Sequence, residues 1–271
     1  MINVGVAGAA GKMGKTLIQA IAEADEFRLT AAIERAGSSV LGRDSGELAG
    51  LGRNGVKITD NVESACDSFA ILIDFTIAKA TAGNINICLA NNRKMVIGTT
   101  GLKESEIDGM VSASRKIAIV HASNYSVGVN ASFKLAETAA SVLGDDVDIE
   151  IIEAHHRHKV DAPSGTALTL GEVVASQLGR KLEDVAIYGR QGLAQTRPRH
   201  AIAFHSLRAG DIVGDHTVAF VGHGERLEIT HRAQSRMNFA QGALRAAKYV
   251  TNQSKGLFSM QDVLGFNKIK V

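Results

Sequence analysis

The sequence predicts an α/β protein of two domains, in which a doubly wound parallel sheet is followed by an α+β domain with a mixed sheet. Two observations lead to this fold class. The first half alternates short apolar runs with amphipathic stretches, and the last apolar runs of the second half follow one another across glycine turns. Alternating strands and helices are typical of parallel sheets, whereas successive strands with short connections are typical of mixed or antiparallel sheets.

The first half contains five predicted strands and three predicted helices. The strands are residues 2–7, 27–33, 70–75, 95–98 and 117–120, and the helices lie near residues 13–21, 81–90 and 104–115. Residues 41–62 interrupt this alternation with glycines and charges, and we expect them to form a surface excursion near a ligand site.

The second half begins with a predicted helix at residues 130–143 and a half-exposed strand at 147–152. A further helix is predicted to begin near Ser164. Strands are then predicted at residues 202–207, 216–221 and 226–230, and a final helix at 237–250.

Composition excludes several classes of function. The 271 residues suffice for two domains, each with its own core. Aromatic residues make up only 4% of the chain, which argues against a module that stacks on nucleic-acid bases. The net charge of +2 is too small to indicate a nucleic-acid or membrane partner, so any anion recognition must be local.

Cysteine usage and the N-terminal pattern point to a reducing compartment. Cys66 and Cys88 form neither a CxxC pair nor a metal-ligand spacing, so we expect reduced, buried thiols. The first residues are predicted to form a strand, not a signal peptide, and no apolar run approaches the ~20 residues of a membrane span. A cytoplasmic location is therefore expected.

A glycine cluster follows the first predicted strand and opens the first predicted helix. Gly8, Gly11 and Gly14 have the spacing GxxGxxG. Glycine there permits a tight turn, close approach of a pyrophosphate and close helix packing, and the helix N-terminus attracts phosphate. A tight turn without a ligand would use the same residues. Glu34, however, ends the next strand about 20 residues after Gly14, where an acid can reach the ribose hydroxyls of a dinucleotide. The combination predicts a Rossmann-type site.

Two further segments are candidates for the same site. Arg35 can pair with the 2′-phosphate of NADP, although a surface arginine would look the same in the sequence. Residues 98–101, Gly-Thr-Thr-Gly, close the fourth strand, and the carboxyl ends of parallel strands line the ligand crevice. They could contact the nicotinamide half of a cofactor or simply form a turn.

The stretch from His155 to Lys159 consists of five residues that can each carry positive charge. Metal binding is disfavoured, because adjacent histidines at a strand end point in opposing directions and Asp161 alone offers little carboxylate support. A single histidine here would be typical of a solvated imidazole, but five such residues together are costly unless an anion offsets their charge.

A second anion site follows directly. Ser164 or Thr166 lies at the predicted helix N-cap, with backbone N–H groups beside it. A plain capped helix is the alternative. A cationic loop that leads into a helix N-terminus is what a small carboxylate substrate requires.

Taken together, these motifs resemble one family over essentially the whole chain. Residues 8–14, 34–35, 98–101, 122–125, 153–159 and 161–166 are similar to the corresponding segments of the 4-hydroxy-tetrahydrodipicolinate (dihydrodipicolinate) reductases of bacterial lysine and diaminopimelate biosynthesis. The resemblance implies hydride transfer from NADH or NADPH to 4-hydroxy-tetrahydrodipicolinate, giving tetrahydrodipicolinate.

The resemblance also implies residue roles. The pyrophosphate would be held by Gly8, Ala9, Ala10, Gly11, Lys12 and Met13. Glu34 would bind the NADH ribose and Arg35 the extra phosphate of NADPH. The nicotinamide would be flanked by Gly98, Thr99, Thr100, Ala122, Ser123, Asn124 and Tyr125, the last at a position where the family often has phenylalanine. The acid–base pair would be His155 and Lys159, and the dicarboxylate would be held by His156, Gly165 and Thr166.

The family's organisation is expected as well. Residues 1–126 would form the dinucleotide-binding domain, to which residues 237–271 return, and residues 127–236 would form the substrate-binding and oligomerisation domain of a homotetramer built through its sheet. No metal, nucleic-acid or membrane partner is expected.

Two other functions fit part of the pattern. One is a different two-domain dehydrogenase acting on amino or semialdehyde substrates, the latter needing a nucleophilic cysteine. The other is a non-catalytic dinucleotide sensor, which leaves the cluster at residues 155–159 unexplained.

Overall fold

A computed structural model describes residues 1–193 and 195–266, which form two compact units. Unit 1 comprises Met1–Val127 and the segment that starts at Arg236, and unit 2 comprises Gly128–Ser235. Residue 194 of the predicted domain 127–236, and residues 267–271 of the predicted segment 237–271, lie outside the described residues.

Strands and helices alternate through the first 121 residues. They are β1 (Ile2–Ala7), α1 (Lys12–Ala22), β2 (Phe27–Ile33), α2 (Ser45–Ala49), β3 (Ile58–Thr59), α3 (Val62–Ala65), β4 (Ile71–Asp74), α4 (Ala78–Ala90), β5 (Lys94–Ile97), α5 (Glu104–Ser114) and β6 (Ala118–His121). The predicted strands and helices of this half are all present. Residues 41–62 differ from the prediction, because they contribute α2 and the edge strand β3. These elements form because Ala49 and Ile58 are buried in an apolar cluster with Ile18 and Ala32.

The remaining elements run to the end of the described chain. They are α6 (Val127–Leu143), β7 (Asp148–His155), α7 (Gly165–Gln177), α8 (Leu182–Val185), β8 (Ala186–Tyr188), β9 (Ile202–Arg208), β10 (Gly214–Val221), β11 (Arg226–Ala233), α9 (Met237–Thr251), β12 (Gly256–Phe258) and α10 (Met260–Leu264). The short elements α8, β8, β12 and α10 were not predicted, because three to five residues are too few to show a period. Strand β7 continues to His155, beyond its predicted end at residue 152, because Glu153, Ala154 and His155 pair with residues of β9.

The sheet of unit 1 is parallel throughout, in the order β12-β6-β5-β4-β1-β2-β3. Its central strands are mostly apolar, as expected for a sheet covered by helices on both faces; Val4, Ile71 and Val96 are fully buried. The predicted doubly wound parallel sheet is confirmed. The strand order reverses between β1 and β4, and ligands of such sheets bind at the carboxyl ends of the strands at this point.

The sheet of unit 2 is mixed, as predicted. Its order is β11-β10-β7-β9-β8, antiparallel from β11 to β7 and parallel from β7 to β8. Helices α6 and α7 cover one face, where Phe133 and Val174 pack with Ile151, Phe204 and Val218. This packing places the carboxyl end of β7 beside the start of α7.

Both cysteines lie in the core of unit 1 as free thiols, in agreement with the prediction of buried cysteines. Burial raises the pKa of the Cys66 thiol and, more strongly, that of Cys88. None of the helices in the described parts of the chain has the length and apolarity that crossing a membrane requires.

Candidate dinucleotide and substrate sites

The turn between β1 and α1 depends on glycine at two positions. Gly8 has φ +78°, a backbone conformation that residues with a Cβ rarely adopt. Gly14 lies on the face of α1 that meets the turn, where a Cβ would lie 2.1 Å from the Gly8 carbonyl oxygen. Helix α1 begins at Lys12, so its N-terminal amides and positive dipole end lie at the turn, as an anion site requires.

Glu34 lies directly beside this turn. Its carboxylate accepts hydrogen bonds from the backbone N–H of Ala10 at 2.9 Å and of Arg35 at 3.1 Å. A carboxylate offers about four acceptor positions, so Glu34 keeps capacity for further donors. The acid predicted from its spacing to Gly14 is therefore placed at the turn.

A cavity of about 450 Å³ opens at the carboxyl ends of β1, β2 and β4. Its size is typical of small-ligand sites. It is lined by Ala7, Gly8, Gly11, Ile33, Glu34, Arg35, Asp60, Val62, Phe75, Thr76, Ile77, Ala80 and Asn84. A dinucleotide fits these residues, because glycine backbone, an acid and an arginine face one open space.

Phe75, Thr76 and Ile77 were not predicted as site residues. They follow β4, and the rule that strand ends line the crevice, applied above to residues 98–101, would have identified them. Phe75 also packs against Gly98, where a Cβ would lie 2.3 Å from its ring.

The side chain of Thr99, a residue expected to flank the nicotinamide, is buried. It is 3% exposed. Its hydroxyl accepts hydrogen bonds from the Thr76 N–H at 3.1 Å and the Thr81 hydroxyl at 2.8 Å. Thr99 therefore fixes the loops of the site from within, whereas Thr100 beside it is exposed.

Asp74 is the fully buried acid at the centre of this network. It accepts hydrogen bonds from the Thr76 hydroxyl at 2.6 Å and from the Asn84 amide at 2.8 Å. Burial raises the pKa of Asp74, and these hydrogen bonds oppose the rise. The network joins the ends of β4 and β5 to the start of α4.

The Tyr125 side chain is buried, so the expectation that this residue flanks the nicotinamide can concern only its backbone and stays a prediction. Tyr125 is 1% exposed, and its hydroxyl lies 2.8 Å from the Ile97 carbonyl oxygen and 3.1 Å from that of Val120. The ring braces the ends of β5 and β6. Ala122, Ser123 and Asn124, which precede it, are at least partly exposed.

In unit 2, Glu153 and His155 lie two residues apart on β7 and therefore share one face of the strand. His155 Nδ1 lies 2.6 Å from Glu153 Oε2, and Arg208 on β9 donates to both carboxylate oxygens at 2.9 and 2.7 Å. Burial alone would raise the pKa of Glu153, but hydrogen bonds from Arg208, Ser206 and His155 lower it to about 2.

Lys159 lies in the loop that follows β7. Its Nζ is 2.9 Å from Asp161 Oδ1, and its backbone N–H donates to the His156 carbonyl oxygen. Arg208 also donates to the Asp161 carbonyl oxygen, at 2.5 Å. One arginine thus holds both the strand that carries His155 and the loop that carries Lys159.

The residues from His155 to Lys159 do not form one cationic surface, which corrects the expectation of a single cluster. His155 is buried, Arg157 and His158 are exposed, and Lys159 is paired. Carboxylates from the same segment, Glu153 and Asp161, relieve the repulsion. Within residues 1–193 and 195–266, no three His, Cys, Asp or Glu side chains are placed to hold a metal ion.

Helix α7 begins beside this loop, with Ser164 as its N-cap. The Ser164 hydroxyl accepts a hydrogen bond from the Ala167 N–H at 3.2 Å and lies 2.8 Å from His216 Nε2. Gly165 is exposed, with open space where a side chain would be. The amides of this first turn form a positive helix end, as anion binding requires.

Comparison with known proteins agrees with this geometry. Family models for the N-terminus and the C-terminus of dihydrodipicolinate reductase match residues 2–125 and 128–264. The chain belongs to the dihydrodipicolinate reductase family. A 4-hydroxy-tetrahydrodipicolinate reductase from Alkalilimnicola ehrlichii is 55% identical over 263 residues, covering 97% of this chain and 98% of the relative.

Solved structures show the same fold. A dipicolinate-bound dihydrodipicolinate reductase from Paenisporosarcina sp. TG-14 has a TM-score of 0.77 at 24% identity, covering 97% of this chain and 98% of that one. A probable dehydrogenase from Thermotoga maritima has a TM-score of 0.63 at 10% identity, with coverage of 97% and 92%. As a dihydrodipicolinate reductase family member, the protein is an oxidoreductase with an N-terminal dinucleotide-binding domain that uses NAD(P)H. Membership of this reductase family argues against both alternatives, the dehydrogenase of amino or semialdehyde substrates and the non-catalytic sensor.

Proposed function

We propose that this enzyme reduces 4-hydroxy-tetrahydrodipicolinate to tetrahydrodipicolinate in the diaminopimelate route to lysine. The balanced reaction consumes the substrate, NAD(P)H and one proton, and it releases tetrahydrodipicolinate, NAD(P)⁺ and water. The observation that carries the proposal is the segment from Glu153 to Thr166, where a buried histidine, a lysine and a helix N-terminus occur together in a dihydrodipicolinate reductase family member.

The proposal assigns the dinucleotide to unit 1. When bound, NAD(P)H supplies a hydride from its nicotinamide ring. Residues 8–13 hold the pyrophosphate at the start of α1, and Glu34 accepts from the adenosine ribose hydroxyls. Arg35 is exposed beside Glu34 and pairs with the 2′-phosphate of NADPH, so both cofactors are used.

The nicotinamide half is assigned to the ends of β5 and β6. Gly98, Thr100, Ala122, Ser123 and Asn124 are accessible there. Thr99 and Tyr125 contribute by holding these loops, since their side chains are buried.

The proposal assigns the dicarboxylate to unit 2. His156, Gly165 and Thr166 bind its carboxylates, because the amide end of α7 favours anions. Lys159 donates the proton that balances the hydride, and it regains a proton from solvent. The Lys159 ammonium can exchange its Asp161 partner for a substrate carboxylate, so binding and proton donation draw on the same side chain.

We extend the proposal to a cytoplasmic homotetramer. The face of the unit 2 sheet opposite α6 and α7 exposes Ile152 (41%), Leu207 (54%) and Val221 (36%). We take these apolar side chains as contacts of the assembly that the family resemblance implies. Light scattering coupled to size-exclusion chromatography should give four times the mass of one chain, and a monomer would exclude this assembly.

A crystal structure with NAD(P)H and pyridine-2,6-dicarboxylate, a planar analogue of the substrate, tests both ligand assignments. We expect the dinucleotide against residues 8–13 and Glu34, and the dicarboxylate against Lys159 and the start of α7. A dicarboxylate bound elsewhere, or a dinucleotide absent from the cavity at Glu34, would contradict the proposal.

A further inference from the structure

We propose that Glu153, itself held by Arg208, is a positioning residue that fixes His155 as the Nδ1–H tautomer and leaves its Nε2 as a proton acceptor. The consequence for proton donation by Lys159 rests on the proposed function. The tautomer itself follows from the geometry of unit 2 alone.

The first step concerns where the imidazole hydrogen lies. Glu153 is 1% exposed and accepts two hydrogen bonds from Arg208, which is the bidentate geometry of an ionised carboxylate. An ionised carboxylate can only accept hydrogen bonds. The 2.6 Å contact between its Oε2 and His155 Nδ1 therefore places the hydrogen on Nδ1.

The second step concerns the other ring nitrogen. In a neutral imidazole with hydrogen on Nδ1, Nε2 carries a lone pair. Gly214, the first residue of β10, lies beside it: a Cβ there would be 3.0 Å from Nε2 and 3.4 Å from Cδ2. The glycine thus leaves Nε2 uncovered on that side.

The third step concerns the charge on the ring. The groups that face His155 are Glu153 on its own strand, Lys159 on the following loop, Arg208 on β9 and His216 on β10, whose ring centroid is 5.1 Å away. Burial lowers the pKa of His155, Lys159 and Arg208 lower it further, and Glu153 opposes them without reversing the shift. The net shift favours the neutral form of His155 over the imidazolium.

A neutral His155 with its hydrogen directed at Glu153 has no proton to give from Nε2. Lys159 is then the donor, and His155 accepts a hydrogen bond or a proton at Nε2. Arg208 couples the two, because it binds Glu153 and also the carbonyl of Asp161, the partner of Lys159.

Neutron diffraction from crystals of the deuterated full-length protein, grown above pH 7, locates this hydrogen directly. We expect deuterium on Nδ1 of His155 and none on Nε2. Deuterium on Nε2, with or without deuterium on Nδ1, would overturn the proposal. In Glu153→Gln the amide oxygen can accept from Arg208 and the amide nitrogen can donate to Nδ1, so we expect deuterium to move to Nε2.

Glu150→Gln is the matched control, because Glu150 lies on the opposite face of the same strand and also binds a histidine and an arginine, His205 and Arg197. It should leave the His155 tautomer unchanged. If Glu153→Gln does not fold, the wild-type neutron map still decides between the two tautomers.

Steady-state kinetics test the consequence for turnover. Glu153→Gln should lower kcat by ~10-fold, which is less than the ~100-fold or more expected when an acid–base group is lost completely. It should also shift the pH profile of kcat/KM and leave the Kd for NADPH unchanged, while Glu153→Asp restores part of kcat. Identical pH profiles for Glu153→Gln and Glu150→Gln would overturn the positioning role. Wild-type protein that shows deuterium on Nδ1 but no turnover would overturn the proposed reaction and support the tautomer.

Discussion

The His216 ring lies 2.8 Å from the hydroxyl of Ser164, the residue that caps helix α7. His216 is 5% exposed and packs edge-on against His155. A buried neutral imidazole on β10 thus supports the helix end to which we assign the substrate carboxylates.

This burial predicts a loss of stability in mild acid. Burial, with smaller effects from His155 and other neighbours, lowers the pKa of His216 from 6.5 to about 3. Below pH 6.5 the unfolded chain binds a proton at this residue, whereas the folded chain does so only near pH 3. The contribution of His216 to the free energy of unfolding is therefore complete above pH 6.5. It is lost as the pH falls from 6.5 toward 3, by at most about 1.4 kcal/mol per pH unit.

Chemical denaturation at several pH values measures this slope. His216→Gln should make the free energy of unfolding less dependent on pH between 6.5 and 3. His223→Gln, at an exposed turn, is the control and should retain the wild-type slope. Equal slopes for wild type and His216→Gln would show that His216 does not titrate as described.

Gly14→Ala should damage the dinucleotide site. The new Cβ would lie 2.1 Å from the Gly8 carbonyl oxygen, so α1 must move away from the turn. We expect a loss of ~1–3 kcal/mol in stability, as for overpacking, and weaker NADH binding. Gly83→Ala is the control: it lies exposed inside α4 with nothing within 4 Å, and it should gain ~0.5–1 kcal/mol. Thermal unfolding measures the change in stability of both variants, and titration with NADH measures the change in binding. Unimpaired NADH binding by Gly14→Ala would contradict this account of the turn.

Arg35→Ala should separate the two cofactors. Glu34 is also held by the backbone N–H of Ala10, so removing the Arg35 side chain leaves the acid in place. NADPH binding should weaken by ~10-fold, since an exposed charge-assisted pair contributes on the order of 1 kcal/mol, while NADH binding stays close to the wild-type value. Calorimetric titration of both cofactors measures this. A wild-type preference above ~1,000-fold for either one, about 4 kcal/mol, would contradict dual use.

Lys159→Ala should lose at least ~100-fold in kcat, the low end for a general acid, and retain cofactor affinity. Lys181→Ala is a matched control in the same unit, because Lys181 is 78% exposed and far from this loop in sequence. If Lys159→Ala raised KM and left kcat near normal, Lys159 would be a binding residue and His155 would become the candidate donor.

Much of the fold follows from local sequence signals. The apolar runs and the glycine cluster predicted the parallel sheet, and Glu34 was placed at the glycine turn by its spacing alone. The short strands β8 and β12 escaped prediction, since three residues carry no periodic signal.

The second site was less predictable, because its charges are paired across the fold. Arg208 and His216 reach Glu153, His155 and Ser164 from β9 and β10, at sequence separations of about fifty residues. A single sequence contains no signal for such pairs. Glu153 belongs to the family motif at residues 153–159, but a charged residue gives no sign that it lies buried inside a strand such as β7.

The most direct test of the account is oxidation of reduced nicotinamide by the purified protein, followed by absorbance. With NADH or NADPH and 4-hydroxy-tetrahydrodipicolinate, we predict that absorbance falls at a rate proportional to enzyme, and that it stays constant when the substrate is omitted. A folded protein that binds NAD(P)H but oxidises neither cofactor in the presence of this substrate would contradict the proposed function.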